Sequence, residues 1–391
     1  MTRTERPNSP RRPRRVAWYH PFIPHYRVPV INRLGDLADI DLTVFAGHAI
    51  PGLSQSDAAA NLTAPRVTLR NVAFLRTRLP IVLAYASGWT RIVRSRQDAV
   101  IALEWSRDLV LWLLLATRWL FGFKLILLGH IRLLADDGPI RHRLRRFLVR
   151  ASDGVIAYTT EGMEQALAWG VDPSAVVAMG NTLDEQRIAR AKASVTEART
   201  TQVRNDLGLD GPVYLFIARP TAAKRLDVAI DTVRMLADRG VPAHLLVVGT
   251  SNALQFYIDR AKGLPTVHFL GEVLDEDDLA VFFAVADLVL IPGAVGLAAN
   301  HAFAYGRPLV TARGEPHGPE MVLAQDGRNA LLVEACEATV FASTLEALTR
   351  APDRLRALQQ GAEATEVPTV GAMVDNIARL IRSVTPKSSR A

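Results

Sequence analysis

Cysteine is almost missing from this chain of 391 residues: Cys336 stands alone. One thiol excludes a disulfide framework and a cysteine-rich zinc site, and it suits a reducing cytoplasm. Lysine is nearly as scarce, with Lys124, Lys192, Lys224, Lys262 and Lys387 the only five against abundant arginine. No apolar run reaches the roughly 20 residues that a bilayer-spanning helix needs. The most apolar stretch, Leu109–Phe121, is shorter and is interrupted by Arg118. It reads as a helix buried in the core or lying on a membrane face. No Gly-x-Gly-x-x-Gly follows a strand-like run, which argues against a nicotinamide dehydrogenase. No convincing Asp-x-Asp pair marks a metal site, and the N-terminus lacks the apolar run of a secretory signal.

What is present points to a folded two-domain protein. Hydrophobic residues make up 49% of the chain, enough for a sizeable core and too many for wholesale disorder. The net charge of +7 is unevenly spread. Arg3, Arg6, Arg11, Arg12, Arg14 and Arg15 lie among prolines and read as a disordered basic tail. A second cluster, Arg141-His-Arg-Leu-Arg-Arg146 with Arg150, falls on a predicted helix. No nucleic-acid reading module accompanies either cluster, so nucleic acid is not the expected partner. An anionic membrane surface or a merely solvated helix face fits better.

Apolar runs alternate with helical patterns along the whole chain. Strands are predicted at Arg15–Tyr19, Ile40–Phe45, Val67–Leu69, Ala99–Leu103, Lys124–Leu128 and Gly154–Tyr158. Helices fit Val28–Leu37, Pro80–Arg94, Asp108–Leu120, Ile140–Ala151 and Thr160–Ala168, followed by one long charged helix to about Asn205. The rhythm resumes with strands at Val213–Ile217, His244–Val248, Thr266–Leu270, Leu288–Ile291, Pro308–Thr311 and Ala330–Val333. Intervening helices begin near Lys224, Asn252, Asp277, Gly296 and Gly318, and a last helix spans Val370–Ser383. Alternating βα units imply an α/β protein with two Rossmann-like, doubly wound parallel sheets facing a cleft. The expected domains are a tail (1–14), an N-terminal domain (15–182), a helix and linker (183–210), a C-terminal domain (211–365) and a helix returning to the first domain, then a tail (366–391).

In such sheets the ligand crevice lies beyond the carboxyl ends of the strands. Residues there are His20, Glu104, His130, Arg219, Gly249, Gly271, Gly293 and Arg313. Arg219 and Lys224 flank the loop after Val213–Ile217, and two fixed cations beside a helix start suit a diphosphate. Each position also has a plainer reading. The two cations could be solvated, glycine is common after strands, His130 could be a hydrogen-bonded loop residue, and Glu104 could cap the next helix. Asp275-Glu-Asp-Asp278 reads as a helix N-terminus rather than a metal site.

Four stretches carry a family likeness. They are Ala218-Arg219 through Lys224-Arg-Leu-Asp227, then His268-Phe-Leu-Gly271 with Ala286-Asp287-Leu-Val-Leu-Ile-Pro292, then Gly293-Ala-Val-Gly-Leu297 with His301-Ala-Phe-Ala-Tyr-Gly-Arg-Pro308, and lastly His317-Gly-Pro-Glu320 with Asp326-Gly-Arg-Asn329. Together they resemble the retaining glycosyltransferases of family 4, which have the two-domain GT-B fold. The first domain is similar in Tyr19-His-Pro-Phe-Ile-Pro-His-Tyr-Arg27, although the glycine pair of the family's loop is missing.

The resemblance implies a hexosyltransferase that binds a nucleotide-diphosphate sugar and passes the sugar to a glycan or lipid-linked acceptor with retention. It implies catalytic roles for His130, Arg219, Lys224 and Glu320. Donor contacts are implied for Gly271, Val273, Gly293, Gly296, Leu297, His301 and His317. His20, Tyr26 and Glu104 are candidates on the acceptor side. No cofactor or metal is expected, because two cations and a helix end can share the leaving-group charge. The expected place is the cytoplasm, with the inner membrane face as a further location. One departure stands out: the family's paired glutamates fall on Gly293 and His301. Gly293 offers no side chain, and His301 can make one hydrogen bond to a ribose hydroxyl where a carboxylate would clamp two. Two other readings therefore stay open, a nucleotide-sugar 2-epimerase and a non-catalytic homologue that binds a nucleotide sugar or glycan.

Overall fold

The computed structural model describes residues 12–47, 59–74, 83–86, 88–131 and 138–385, the short segments 71–74 and 83–86 as backbone only. Most of the expected basic tail, parts of the expected helix Pro80–Arg94, and Lys387 lie outside the described residues. By its internal contacts the chain divides into one unit of Met1–Gly180 with Val370–Ala391 and a second of Asn181–Thr369.

The first unit contains β1 (Arg14–His20), β2 (Ile40–Ala46), β3 (Arg66–Thr68), β4 (Asn71–Phe74), β5 (Leu83–Ala86), β6 (Ala99–Leu103), β7 (Lys124–Gly129), β8 (Gly154–Ala157) and β9 (Val176–Ala178). Seven of these strands form a parallel sheet in the order β3-β2-β1-β6-β7-β8-β9, and β4 pairs β5 as an antiparallel hairpin. Successive side chains on a strand point to opposite faces. Val16 and Trp18 of β1 thus join one apolar cluster with Ile101, Ile126 and Ile156. Ala17 and Tyr19 join another with Val100, Leu125 and Val155. Leu111, Leu114 and Leu148, from the helices Leu109–Phe121 and Pro139–Ala151, cover the second face. The first face is covered by the last helix, Val370–Val384, through Met373, Ile377 and Ile381. Each fully buried side chain of this size contributes about 1.5–3 kcal/mol, and that burial explains why the chain's end belongs to this unit.

Several elements differ from the sequence expectation. The helix expected at Pro80–Arg94 starts only at Gly88, after strand β5. Leu83–Ala86 instead pairs antiparallel with Asn71–Phe74. The strand expected from Arg15 begins at Arg14, inside the supposed tail, where Arg14 donates to Asp39 and Thr385. The long charged helix is two helices, Glu185–Ser194 and Glu197–Asp206. Thr196 breaks it by turning outward to cap the second, accepting from the Arg199 N–H at 3.3 Å.

The second unit contains β10 (Val213–Ile217), β11 (His244–Val248), β12 (Val267–Gly271), β13 (Leu288–Leu290), β14 (Leu309–Ala312) and β15 (Ala330–Val333). They form a parallel sheet in the order β12-β11-β10-β13-β14-β15. The residues expected as a linker pack within this unit. Arg187 donates to the Leu274 carbonyl at 2.9 Å, and Arg199 pairs with Asp278 at 3.0 Å. The helix expected from Gly318 is a short 3-10 segment, Pro319–Leu323. It stops there because the Asn329 side chain accepts from the Gln325 N–H and donates to the Leu323 carbonyl. In both sheets the strand order reverses beside the first strand, at β1/β6 and at β10/β13. These are the two crevices in which a ligand belongs.

Candidate active site

In the second unit the crevice lies between the loops that follow β10 and β13, and those loops are locked to each other by backbone. The Gly293 N–H donates to the Lys224 carbonyl at 3.2 Å, and the Ala294 N–H donates to the Ala223 carbonyl at 2.7 Å. A Cβ added at Gly293 would lie 2.2 Å from the Ala223 oxygen. The glycine is therefore favoured by a close backbone approach, and a side chain fits there only if the Ala223 carbonyl moves. Gly249, at the end of β11, plays the same part: its Cβ would lie 2.2 Å from the Ala218 oxygen. The loop carrying Arg219 is thus held from both sides by residues without side chains.

The charged groups gather on this frame. Lys224 Nζ donates to the Ala294 carbonyl, placing the ammonium in the crevice. Burial lowers its pKa below the usual lysine value; Glu320 opposes that shift and Arg219 adds to it. Lys224 is thereby within electrostatic reach of both Arg219 and Glu320. Arg219 is exposed and Glu320 is buried. Glu320 Oε1 accepts from Asn181 Nδ2 at 2.6 Å. Its Oε2 lies against Gly318 and near Gly296, with a Cβ on Gly318 falling 2.5 Å from it. Gly296 and Leu297 open the short helix Ala298–Ala304, and the Gly296 carbonyl accepts from Ala299 at 2.9 Å.

Two histidines expected to meet the donor are already engaged. His317 Nδ1 accepts from the Val295 N–H at 3.1 Å, and its Nε2 lies 2.7 Å from the Ala312 carbonyl. Those partners select the neutral tautomer with the proton on Nε2. Both ring nitrogens are used, so His317 braces the crevice instead of offering a hydrogen bond to a sugar. His301 Nε2 lies 2.8 Å from Glu276 Oε1, which also accepts from the Tyr305 hydroxyl at 2.8 Å. Burial alone would raise the Glu276 pKa, but the hydrogen bond and charge of His301 and the bond from Tyr305 bring it below the usual value. Of the acidic turn, Asp275 is the helix cap, accepting from Asp277 N at 2.8 Å. Gly271 and Val273 sit at and beyond the end of β12, two strands from the switch point.

The first unit builds its crevice from side chains. Arg27 is 2% exposed, its guanidinium 4.6 Å from the Tyr158 ring centroid and 5.2 Å from that of Tyr26. His20, at the end of β1, is buried, and its pKa falls to about 4 through desolvation first and the Arg27 charge second. His130 follows β7 and meets the Tyr158 ring edge-on with centroids 4.4 Å apart. It is exposed, yet protein atoms crowd it; that desolvation, then Arg27 and Arg145, push its pKa to about 4. Both imidazoles are therefore neutral near pH 7. Ile131, directly after His130, is buried with φ +59°. A β-branched residue in that conformation stores strain of the kind that collects at functional sites.

Glu104 does not cap the following helix. Asp108 does, accepting from Val110 N at 2.9 Å. Glu104 is buried and paired with Arg145 Nε at 2.9 Å. A Cβ on Gly129 would lie 2.8 Å from Glu104 Cβ, so that glycine makes room for the carboxylate. Asp108 also accepts from the Tyr19 hydroxyl at 2.7 Å, and burial raises its pKa to about 6. Arg27, Asp108, Arg145, Asn181 and Glu276 were not assigned to a site by sequence reasoning. Arg27 carried a usable signal: a lone cation ahead of the apolar run Val28-Pro-Val-Ile31.

The two sheets, each doubly wound with its crevice at the strand-order reversal, are those of the GT-B fold. HepE from Anabaena, solved in complex with UDP, superimposes with a TM-score of 0.71 over 95% of this chain and 100% of that one, at 17% identity. That likeness concerns the fold. Residues 211–351 match the family described as glycosyl transferases group 1. The D-inositol 3-phosphate glycosyltransferase of Rhodococcus opacus is 30% identical over 344 residues, 78% of this chain and 74% of the relative. The chain belongs to the group 1 glycosyltransferases. The GDP-mannose-dependent alpha-(1-6)-phosphatidylinositol dimannoside mannosyltransferase of Mycobacterium tuberculosis is 28% identical over 206 residues, 49% of this chain. The match spans about half of that relative's length, 51%.

Proposed function

We propose that this chain transfers a hexosyl group from a nucleotide-diphosphate sugar to a glycan or lipid-linked acceptor, with retention at the anomeric carbon. The observation that carries this reading is the Lys224–Arg219–Glu320 cluster at the β10/β13 reversal, inside the segment that matches the family. GDP-mannose, named for the Mycobacterium relative, and UDP-sugars, suggested by the UDP bound to HepE, are the first donors to test.

In the proposed reaction the acceptor oxygen attacks the anomeric carbon and the bond from that carbon to the β-phosphate oxygen breaks. The nucleoside diphosphate leaves with the bonding electron pair, and the acceptor proton passes to a phosphate oxygen. Arg219 and Lys224 stabilise the charge that develops on the diphosphate. Each charge-assisted hydrogen bond contributes about 1.5–3 kcal/mol. Glu320, held by Asn181, faces the sugar hydroxyls and supplies the carboxylate that Gly293 cannot. Neutral His130 hydrogen-bonds the transferring sugar, while His20, Tyr26 and the Glu104–Arg145 pair face the acceptor. His301, oriented by Glu276, presents its remaining nitrogen to the ribose. With two cations on the diphosphate, turnover is expected to survive chelation of divalent metals.

The test is product analysis with GDP-mannose and UDP-sugars, with and without acceptor. Transfer that needs an acceptor and disappears in Lys224→Ala supports the proposal. Interconversion of the sugar without acceptor makes the protein an epimerase. Donor binding with no transfer across a broad acceptor panel makes it a non-catalytic homologue.

A further inference from the structure

Nine large apolar side chains are exposed among the described residues, and six of them occupy two helices of the first unit. Trp119 and Leu120 are 81% and 80% exposed, beside Phe121, at the end of the helix Leu109–Phe121. Ile140, Leu144 and Phe147 lie along the helix Pro139–Ala151. Their spacing of four and three residues puts all three on one side of that helix. Leu148 and Val149 are buried against the sheet. The two helices are joined by Trp112, whose ring stacks on Phe147 with centroids 6.1 Å apart and planes 14° apart. Trp112 thus links the apolar side chains of the two helices, and Phe121 extends the group to Trp89 of the helix Gly88–Arg94, with ring centroids 6.2 Å apart; a clustered patch of this kind marks an interaction site.

The two helices carry charges of one sign. The helix Pro139–Ala151 contains no acidic residue, and Arg143, Arg146 and Arg150 are exposed on it among the apolar side chains. Two nearby carboxylates are already paired: Asp153 with Arg118 at 3.1 Å and with Lys124 at 2.9 Å, and Glu104 with Arg145. Aromatic rings with interleaved arginines, on helices with a firmly packed inner face, match the boundary between headgroups and acyl chains. No described helix is long and apolar enough to cross a membrane, so the contact is with the surface of a bilayer.

We infer that this face, built from Trp119, Leu120, Phe121, Ile140, Leu144 and Phe147 and ringed by Arg143, Arg146 and Arg150, docks on an anionic lipid bilayer. The inference is independent of the transferase reading, because binding is measured without donor or turnover. The full chain is sedimented with vesicles of phosphatidylcholine alone and of phosphatidylcholine with phosphatidylglycerol. At least tenfold stronger partition onto the anionic vesicles is expected. Trp119→Ser with Phe147→Ser, and separately Arg143→Glu with Arg146→Glu, each reduce it tenfold or more while the melting temperature is kept. A variant with Arg3, Arg6 and Arg11 changed to serine still binds. The inference is overturned if the full chain ignores anionic vesicles, if both double variants bind as the parent does, or if the tail variant alone loses binding. A concentration-dependent dimer that dissolves in Trp119→Ser with Phe147→Ser, without vesicle binding, assigns the face to a second copy and equally overturns it.

Discussion

The two crevices share a topology and differ in material. In the second unit, backbone does most of the shaping: Gly293 and Gly249 bring main chains together where a Cβ would fall 2.2 Å from a carbonyl oxygen, and His317 spends both ring nitrogens on the frame. In the first unit, side chains do the shaping, through Arg27 on Tyr158, Glu104 on Arg145 and Asp108 on Tyr19. A frame of backbone contacts fixes the residue type at consecutive positions, so it leaves a readable motif. A frame of side chains draws single residues from distant loops and leaves none. The family match over 211–351 falls on the backbone-built half.

The largest expected effect tests which half handles the leaving group. Lys224→Ala should lower donor turnover by about 10²–10³-fold, the usual loss for one preorganised electrostatic donor, with an unchanged melting temperature. A similar loss in His130→Ala, measured as donor hydrolysis without acceptor, would blur the division between the halves.

Legibility followed the same line. The strands β6, β10, β11 and β15 lie where apolar runs bounded by turn residues put them, because strands of a parallel sheet are buried on both faces. The hairpin β4–β5, the short strand β9 and the helices Ala338–Thr349 and Pro352–Glu363 were not anticipated. Their patterns are short or weakly periodic, and their positions depend on tertiary packing. Arg219 and Lys224 could be singled out from their place after an apolar strand, whereas Glu320 was reached only through the family resemblance. The pairing of His301 with Glu276 could not be read at all, since it joins helices 25 residues apart in sequence.

Gly293→Glu, which restores the family's carboxylate, sharpens the contrast further. Overpacking of this kind costs about 1–3 kcal/mol, and the Ala223 carbonyl must move. Thermal unfolding should show the loss, and donor binding should weaken; a gain in turnover at unchanged stability would refute the close-packed account of this glycine.

A subtler effect distinguishes the first crevice by its response to acid. His20 titrates near 4 in the folded chain against 6.5 ordinarily, so the unfolded chain binds more protons between those values. Its contribution to stability is therefore lost as the pH falls from about 6.5 towards 4. Asp108 acts in the opposite direction: with a folded value of about 6 against 3.8, it gives stability below 3.8 that is lost as the pH rises through 6. Asp108→Asn keeps the helix cap and removes this opposing contribution, so its stability should fall more steeply on acidification than that of the parent. Equal slopes in denaturant melts across pH 4–6.5 would contradict the assignment.

The smallest expected effect lies in the second unit. Tyr305→Phe removes one hydrogen bond to Glu276 and should cost about 0.5–1.5 kcal/mol. A cost near zero would show that His301 alone holds the carboxylate.

Calorimetric titration with a nucleoside diphosphate and its monophosphate, on the parent chain and on Arg219→Ala with Lys224→Ala, reaches the central claim most directly. The account predicts that the parent binds UDP or GDP at least tenfold more tightly than the matching monophosphate, and that the double variant loses this preference while still binding the monophosphate. An undiminished preference for the diphosphate in the double variant would contradict it.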